Sequence, residues 1–463
     1  ILMGKDSGTK GPYKRILTIA LLSVSVLYLI VQIVVGFDLL ACESFTYFLQ
    51  GSGTPSSTLT SIMRVFSDAG YDYLEFLIIV FIALDPIKTR SIKVLILNIA
   101  SKGFADFLKV FYRQPRPFYV FTDIQALNCN TSYGNPSTHA TRSAFTLAAV
   151  YYIYLHCDSS KYTTNIPYEP IAGTHDEKAP LQAQENQEER AAPELHKLGE
   201  ESHCLIWLRE SKCLKFTIIV FFIIWGFLTA LARVYLGAHS VGQIFAGWSY
   251  AYILFVLFVY MIERPLDNYL AKLCLKNFSS AIAQYLYLGV FTAVSIVIPV
   301  ILYEALRRDA TVMTTQNTWN QAVQACGISD TTIINSAFQD LSFPSLILAI
   351  FFGLLLSNHY KNGYLHDNLQ DLTFIRLVGR VLLYLVIFIG ISKLFRLIPN
   401  LQNEVEDAYF NFFVKWGWIL LSLQGLAISV VVPLLFRPFR LLPAQKKQEY
   451  FPKEGHGDEK EVL

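Results

Sequence analysis

The sequence is short of charge. Only 16% of its 463 residues are Asp, Glu, Lys or Arg, while 53% are hydrophobic; an ordinary soluble domain carries about 25% charged residues. Together with a mean hydropathy of +0.39, this excludes a freely soluble chain. Thiol chemistry is equally thin. Seven cysteines occur, none as Cys-x-x-Cys, so neither a zinc ribbon nor a redox pair is encoded. No acidic cluster of the kind that holds a metal stands out, and a net charge of +2 gives no basic surface for nucleic acid. A cleavable leader is not expected either. The first apolar run, Ile16–Gly36, is too long for one and lacks a small-residue cleavage site.

Long apolar runs take the place of charge. Stretches near 20 residues, the length that crosses about 30 Å of hydrocarbon, fall at residues 16–36, 94–112, 137–155, 216–235, 241–262, 285–303, 378–394 and 412–436, with shorter ones at 71–84 and 341–356. The spacing predicts an all-α, polytopic membrane helical bundle, with a core of six helices over 16–265 and about four more over 266–440. Between the first two spans, Phe37–Gly70 reads as a mildly acidic loop. The basic N-terminus (1–15), Lys88/Arg90/Lys93, Arg264/Lys272/Lys276 and Arg437/Arg440/Lys446/Lys447 fall on one side if the helices alternate. That side is expected to be cytosolic, together with the polar tail 441–463. Residues 157–210 interrupt the pattern. Within them Thr174–Ser202 sets eight acids against three bases with few large apolar side chains, the composition of a disordered cytosolic linker.

The chemistry-bearing residues gather on the opposite side. Lys102, Asp106, Lys109 and Arg113 are spaced by four, three and four, which predicts one helix face. Lys102 and Asp106 read as an internal pair, while Lys109 and Arg116 lie nearer the mouth, where a polyanion can be held. Ser137 stands where the fourth helix begins, beside Thr138 and His139, and the free N–H groups of a first helical turn attract anions. Arg233 ends one helix and His239 opens the next. Gln243 follows four residues later, so its amide oxygen is expected to accept from His239 Nδ1–H and leave Nε2 as a nucleophile. Taken singly, each histidine also reads as a structural helix-end residue; the cations opposite them favour the chemical reading.

Together these motifs resemble the type 2 phosphatidic acid phosphatase superfamily, whose pattern is Lys-x6-Arg-Pro, Pro-Ser-Gly-His and Ser-Arg-x5-His-x3-Asp. Lys109, Arg116 and Pro117 match the first. Pro136, Ser137 and His139 match the second, with Thr138 for Gly. Arg233 and His239 match the third, with Ala232 for Ser and Gln243 for Asp. Pro136-Ser-Thr-His-Ala140 and the helices after the core are similar to the sphingosine-1-phosphate phosphatase branch, whereas Gln243 is similar to glucose-6-phosphatases and dolichyl-diphosphatases. The resemblance implies a metal- and cofactor-independent phosphomonoesterase. In it His239 attacks phosphorus, His139 serves the leaving group and then water, and Lys109, Arg116, Ser137, Thr138 and Arg233 hold the phosphate. A neutral Gln243 in place of a carboxylate implies a lowered pKa on His239.

Three readings follow. The first is a lipid phosphate phosphatase in the endoplasmic reticulum membrane with a lumenal site, acting on long-chain-base phosphate or phosphatidic acid. The second is a sugar phosphatase drawing a phosphorylated small molecule from water. The third is a catalytically silent subunit of a membrane complex or oligomer. Cys42, Cys129 and Cys326 share the lumenal side, where a Cys42–Cys129 disulfide is allowed. There too, Glu304–Asp340 is long enough to cover the site.

Overall fold

A computed structural model describes residues 11–156 and 211–441, apart from 36–39, 52–54, 71, 86–87, 275–277, 309–325, 328–329, 360–373, 400–403, 416, 437 and 440. The expected linker 157–210 lies outside the described residues, as does nearly all of the tail 441–463. Among the described residues every regular element is helical. Six segments are long and apolar enough to cross a membrane: Cys213–Tyr235, Val241–Leu270, Tyr285–Arg308, Thr332–Leu356, Ile375–Phe395 and Asp407–Leu435. Leu17–Gln32 and Tyr73–Leu84 are apolar but shorter. The chain is an all-α, multi-pass membrane bundle.

The amino-terminal part contains α1 (Gly11–Val35), α2 (Leu40–Gln50), α3 (Ser57–Ala69), α4 (Asp72–Leu84), α5 (Lys88–Tyr112), the single turn α6 (Pro117–Val120), α7 (Thr138–Tyr151), α8 (Lys212–Tyr235) and α9 (Val241–Leu257). The 24 residues of α8 reach about 36 Å at 1.5 Å per residue, enough to cross the hydrocarbon layer. Its Phe221, Ile223, Ile224 and Phe227 are exposed, and an apolar face without a protein partner is what lipid covers. At the centre stands α7, packed on α5, α8 and α9. Phe37–Gly70 is not a loop. It folds as α2 and α3, and α3 packs along α8.

The carboxy-terminal part comprises α10 (Glu263–Cys274), α11 (Phe278–Arg308), α12 (Asp330–Asp340), α13 (Pro344–His359), α14 (Phe374–Arg396), α15 (Glu404–Phe410) and α16 (Trp418–Leu426). Leu286, Val290, Phe291, Val294, Val297 and Ile301 leave α11 exposed and apolar, again a lipid-facing pattern. On its inner side the extension joins the first nine helices. Both α12 and α13 pack against α5. Phe118, Tyr119 and Tyr133 share one buried cluster with Tyr303, Phe338 and Phe412. Within it the Phe338 ring stacks on Tyr303 at 4.3 Å and on Phe412 at 4.2 Å between centroids.

A covalent link reinforces this packing. Cys129 is bonded to Cys326 across 197 residues of sequence. The expected Cys42–Cys129 pairing is therefore wrong. Cys129 sits in the 121–137 loop, which α12 meets through Ser336 and Thr131, and its partner comes from the extension.

Candidate active site

The site begins with the last turns of α5. Helical spacing puts Lys102, Asp106 and Lys109 on one buried face, as their sequence intervals require. Asp106 is the hub: it accepts from Lys102 Nζ at 2.8 Å, from Lys109 Nζ at 3.0 Å and from Thr138 Oγ1 at 2.8 Å. A carboxylate this deep is stable only when its lone pairs are met by donors, and the third donor ties α5 to the start of α7. The internal Lys102–Asp106 pair read from the sequence is present. Arg113 departs from that face: it lies one residue beyond the helix, is exposed and has φ 51°.

Arg116 follows the helix end and is 2% exposed. Its Nε donates to Ser132 O at 2.6 Å, one terminal nitrogen to Ser132 Oγ at 2.9 Å, and the other to Ala238 O at 2.8 Å and to His239 Nε2 at 3.2 Å. The fork thus stitches the 121–137 loop to the turn between α8 and α9.

That turn is set by sequence signals on both sides. Gly237, at φ +71°, ends α8 in the left-handed conformation, and Ala238 N donates back to Arg233 O at 3.1 Å. Ser240 and Gln243 then form a capping box that starts α9. His239 is held between stop and start. Its Nδ1 lies 2.8 Å from Gly134 O. A carbonyl only accepts and a guanidinium only donates, so the two neighbours fix one tautomer: Nδ1 carries the proton and Nε2 the lone pair.

Gln243 was expected to orient this ring, and it does not. Its Oε1 accepts from Ser240 N at 3.2 Å and its Nε2 donates to Pro115 O at 2.9 Å. The reason is local. The helix starts at Val241, so His239 precedes it and shares no helical face with Gln243. The amide acts on the ring at one remove by packing on Gly134, where a Cβ would fall 2.6 Å from Gln243 Nε2.

Ser137 has an equally structural place. It is the N-cap of α7, with Oγ accepting from Ala140 N at 3.5 Å and its own N–H donating to Gln243 O at 3.1 Å. Thr138 and His139 occupy the first turn of α7, and Thr138's hydroxyl is committed to Asp106. Arg233, 1% exposed, donates from one terminal nitrogen to Ser67 Oγ at 2.9 Å, while its Nε is buried without a hydrogen-bond partner.

These groups surround a cavity of about 360 Å³. Lys109, Arg116, Thr138, His139, Arg233 and His239 all line it, whereas Ser137 and Gln243 stand behind the lining. The structure thus brings together six of the eight residues expected in the site. Sequence reasoning missed Ser67 and Asp68 from α3, Asn130 and Ser132 from the loop, and Gln339 and Asp340 from α12. Donors predominate in the walls, and two of them, Arg233 Nε and Asn130 Nδ2, are buried and unpartnered. Unmet buried donors beside ammonium and guanidinium groups form a receptor for an anion with several oxygens.

Among the described residues no cluster of three or more His, Cys, Asp and Glu is arranged to hold a metal ion. No curated protein and no solved structure gives a match to this chain. The PAP2 superfamily model matches residues 91–266, the segment that carries Lys109, Arg116, His139, Arg233 and His239, and this supports the superfamily and with it a phosphatase acting on phosphorylated substrates.

Proposed function

We propose that the protein is a metal-independent phosphomonoesterase that hydrolyses a lipid phosphate through a phosphohistidine intermediate. The observation that carries this reading is the fixed tautomer of His239, whose Nε2 lone pair meets Arg116 in the cavity. Phosphate oxygens entering between Lys109, Arg116 and Arg233 draw the guanidinium off Nε2. The nitrogen lone pair then forms a bond to phosphorus as the ester P–O bond breaks, and His139 gives a proton to the leaving alkoxide. In the second step His139 takes a proton from water, the oxygen attacks phosphorus and the P–N bond breaks, which releases inorganic phosphate. The cations stabilise charge that builds on the non-bridging oxygens in both steps.

A lipid substrate is supported by α5, which turns Lys102 and Lys109 towards the cavity and leaves Phe104, Phe107 and Phe111 exposed on its other side. Those rings are open to the acyl chains of a lipid on the side of α5 opposite the cations. The Cys129–Cys326 bond beside the cavity supports a lumenal or extracellular face, and an endoplasmic reticulum membrane fits that face. A silent subunit is disfavoured, because Gln243, which departs from the superfamily's Asp, serves as a helix cap and leaves the His239 ring to Gly134.

The test is phosphate release by the purified chain from long-chain-base phosphate, phosphatidic acid and glucose phosphate. Release from the lipids, undiminished by excess EDTA, is expected. Glucose phosphate as the preferred substrate would instead identify the sugar phosphatase, and abolition by EDTA would refute the metal-free mechanism.

Acidity gives a further expectation. His239 sits in the turn between two spans, and burial first, then Arg116, Arg233 and Lys109, hold its pKa well below the ordinary imidazole value. The ring therefore stays neutral as pH falls through about 6.5. The acid limb of kcat/KM, which reports the free enzyme, is expected below that value once the substrate's own ionisation is allowed for. A limb at or above it would mean that His239 is an ordinary imidazole.

A further inference from the structure

Arg233 reaches the cavity from the last turn of α8, and the group that fixes its direction comes from α3. Thr60, Met63, Ser67 and Gly70 recur at intervals of three and four, so they share one face of α3 and its cap. That face runs along α8 in the opposite sense. Thr60 Oγ1 lies 3.2 Å from Tyr235 Oη, and Met63 packs with Tyr235, Leu236 and Ala238 just ahead of His239. One turn further along, Ser67 Oγ accepts from Arg233 at 2.9 Å.

At the end of α3 the two chains come close. A Cβ on Gly70 would fall 2.2 Å from Thr229 Cγ2, and Trp225 Nε1 donates to Ala69 O at 3.3 Å. Trp225, Thr229 and Arg233 are spaced by four, so one stripe of α8 receives the end of α3. Ser67 and Arg233 are each 1% exposed, which shields their contact from bulk water. The next residue, Asp68, also lines the cavity and lies within electrostatic reach of Arg233, but the hydrogen bond to the guanidinium is Ser67's.

An arginine fork matches an anion best when its plane is held. With one terminal nitrogen given to Ser67, the plane is fixed, and the buried Nε keeps no partner in the protein, a donor left for an anion. We propose that Ser67 is a positioning residue, which aims Arg233 at the phosphate from a helix outside the segment 91–266 that carries the motif residues.

This inference rests on the phosphatase reading above and deepens it. The test is the affinity for orthovanadate, a phosphate mimic, measured by calorimetry on the full chain in detergent, beside kcat/KM for an aryl phosphate. Ser67→Ala is expected to weaken vanadate and lower kcat/KM by about ten-fold, the scale of one hydrogen bond to a charged group. In an Arg233→Met background the stem remains and every donor is gone. There the same change is expected to cost less than about two-fold, because effects that act through one group do not add. Equal losses in both backgrounds would mean that Ser67 acts on the anion itself or through packing, and an unchanged affinity in Ser67→Ala would mean that Arg233 is aimed without it; either overturns the proposal. A second pair reads the same contact with Ser67 and Arg233 intact. Gly70→Ala pushes α3 off α8 and is expected to weaken vanadate as Ser67→Ala does, and adding Thr229→Ser, which removes the colliding methyl, is expected to restore it. Undiminished affinity in Gly70→Ala, or a loss that Thr229→Ser does not recover, also overturns the proposal. Vanadate bound by a wild type that releases no phosphate from any ester would instead refute the phosphatase reading, with Ser67 still judged by the binding.

Discussion

Replacing His239 by alanine is expected to lower phosphate release by about 10⁴-fold or more, the scale seen when a nucleophile is deleted from a preorganised site. The lone pair of the ring is both fixed in direction and aimed at the cations, through Gly134 on one nitrogen and Arg116 on the other. Alanine removes the atom that bonds to phosphorus, and water left in the space has no base aligned to deprotonate it from that side. The partner histidine separates the two steps. With an activated aryl phosphate the leaving group needs no proton, so His139→Ala is expected to form the phosphoenzyme and then fail to hydrolyse it. An acid-labile, base-stable phosphoprotein should therefore accumulate in His139→Ala and be absent from His239→Ala. Label in the His239 variant would assign the nucleophile elsewhere.

The second large effect is on stability. Asp106→Ala removes the shared acceptor of Lys102, Lys109 and Thr138, leaving two ammonium groups buried with their principal counter-charge gone. Deleting one partner of a buried ionic network costs about 3–5 kcal/mol, and here the same deletion unties α5 from α7. A fall in the thermal midpoint of the detergent-solubilised protein is expected, together with loss of activity, because Lys109 loses the contact that aims it. Asp106→Asn should lie between the two, since an amide oxygen still accepts but carries no charge. An unchanged midpoint in the alanine variant would mean that Asp340 takes over both lysines.

The sequence was most informative where one physical rule acts over a short range. Hydropathy windows located the long helices, because about 20 apolar residues satisfy a bilayer whatever surrounds them. Helical spacing alone put Lys102, Asp106 and Lys109 on one face. Two failures are instructive. Phe37–Gly70 was read as a loop since its apolar content is modest; yet Ser56 accepts from Leu59 N as an N-cap, and Leu59, Ile62, Met63 and Phe66 recur at helical intervals. A bond from Gln243 to His239 requires a helix that already includes the histidine. Ser240-x-x-Gln243 is a visible capping box, and it puts the helix start after the ring and leaves the ring to another partner. Asp340 and the Cys129–Cys326 bond were beyond this kind of reading, because no local pattern connects positions roughly 200 residues apart.

That long-range closure bears on the order in which the protein is made. Every cation and both histidines of the cavity precede residue 240, but the wall that faces them ends at Asp340, and its anchor at Cys326 must find Cys129 across 197 residues. A nascent chain that has inserted only through α9 therefore holds these cations and histidines in a cavity missing one side. The cavity is closed on that side only when α12 docks on α5 and the sulfurs join. Closure of the cavity is thus a step distinct from bringing the cations and histidines together, and the thiol state of Cys129 marks which molecules have passed it.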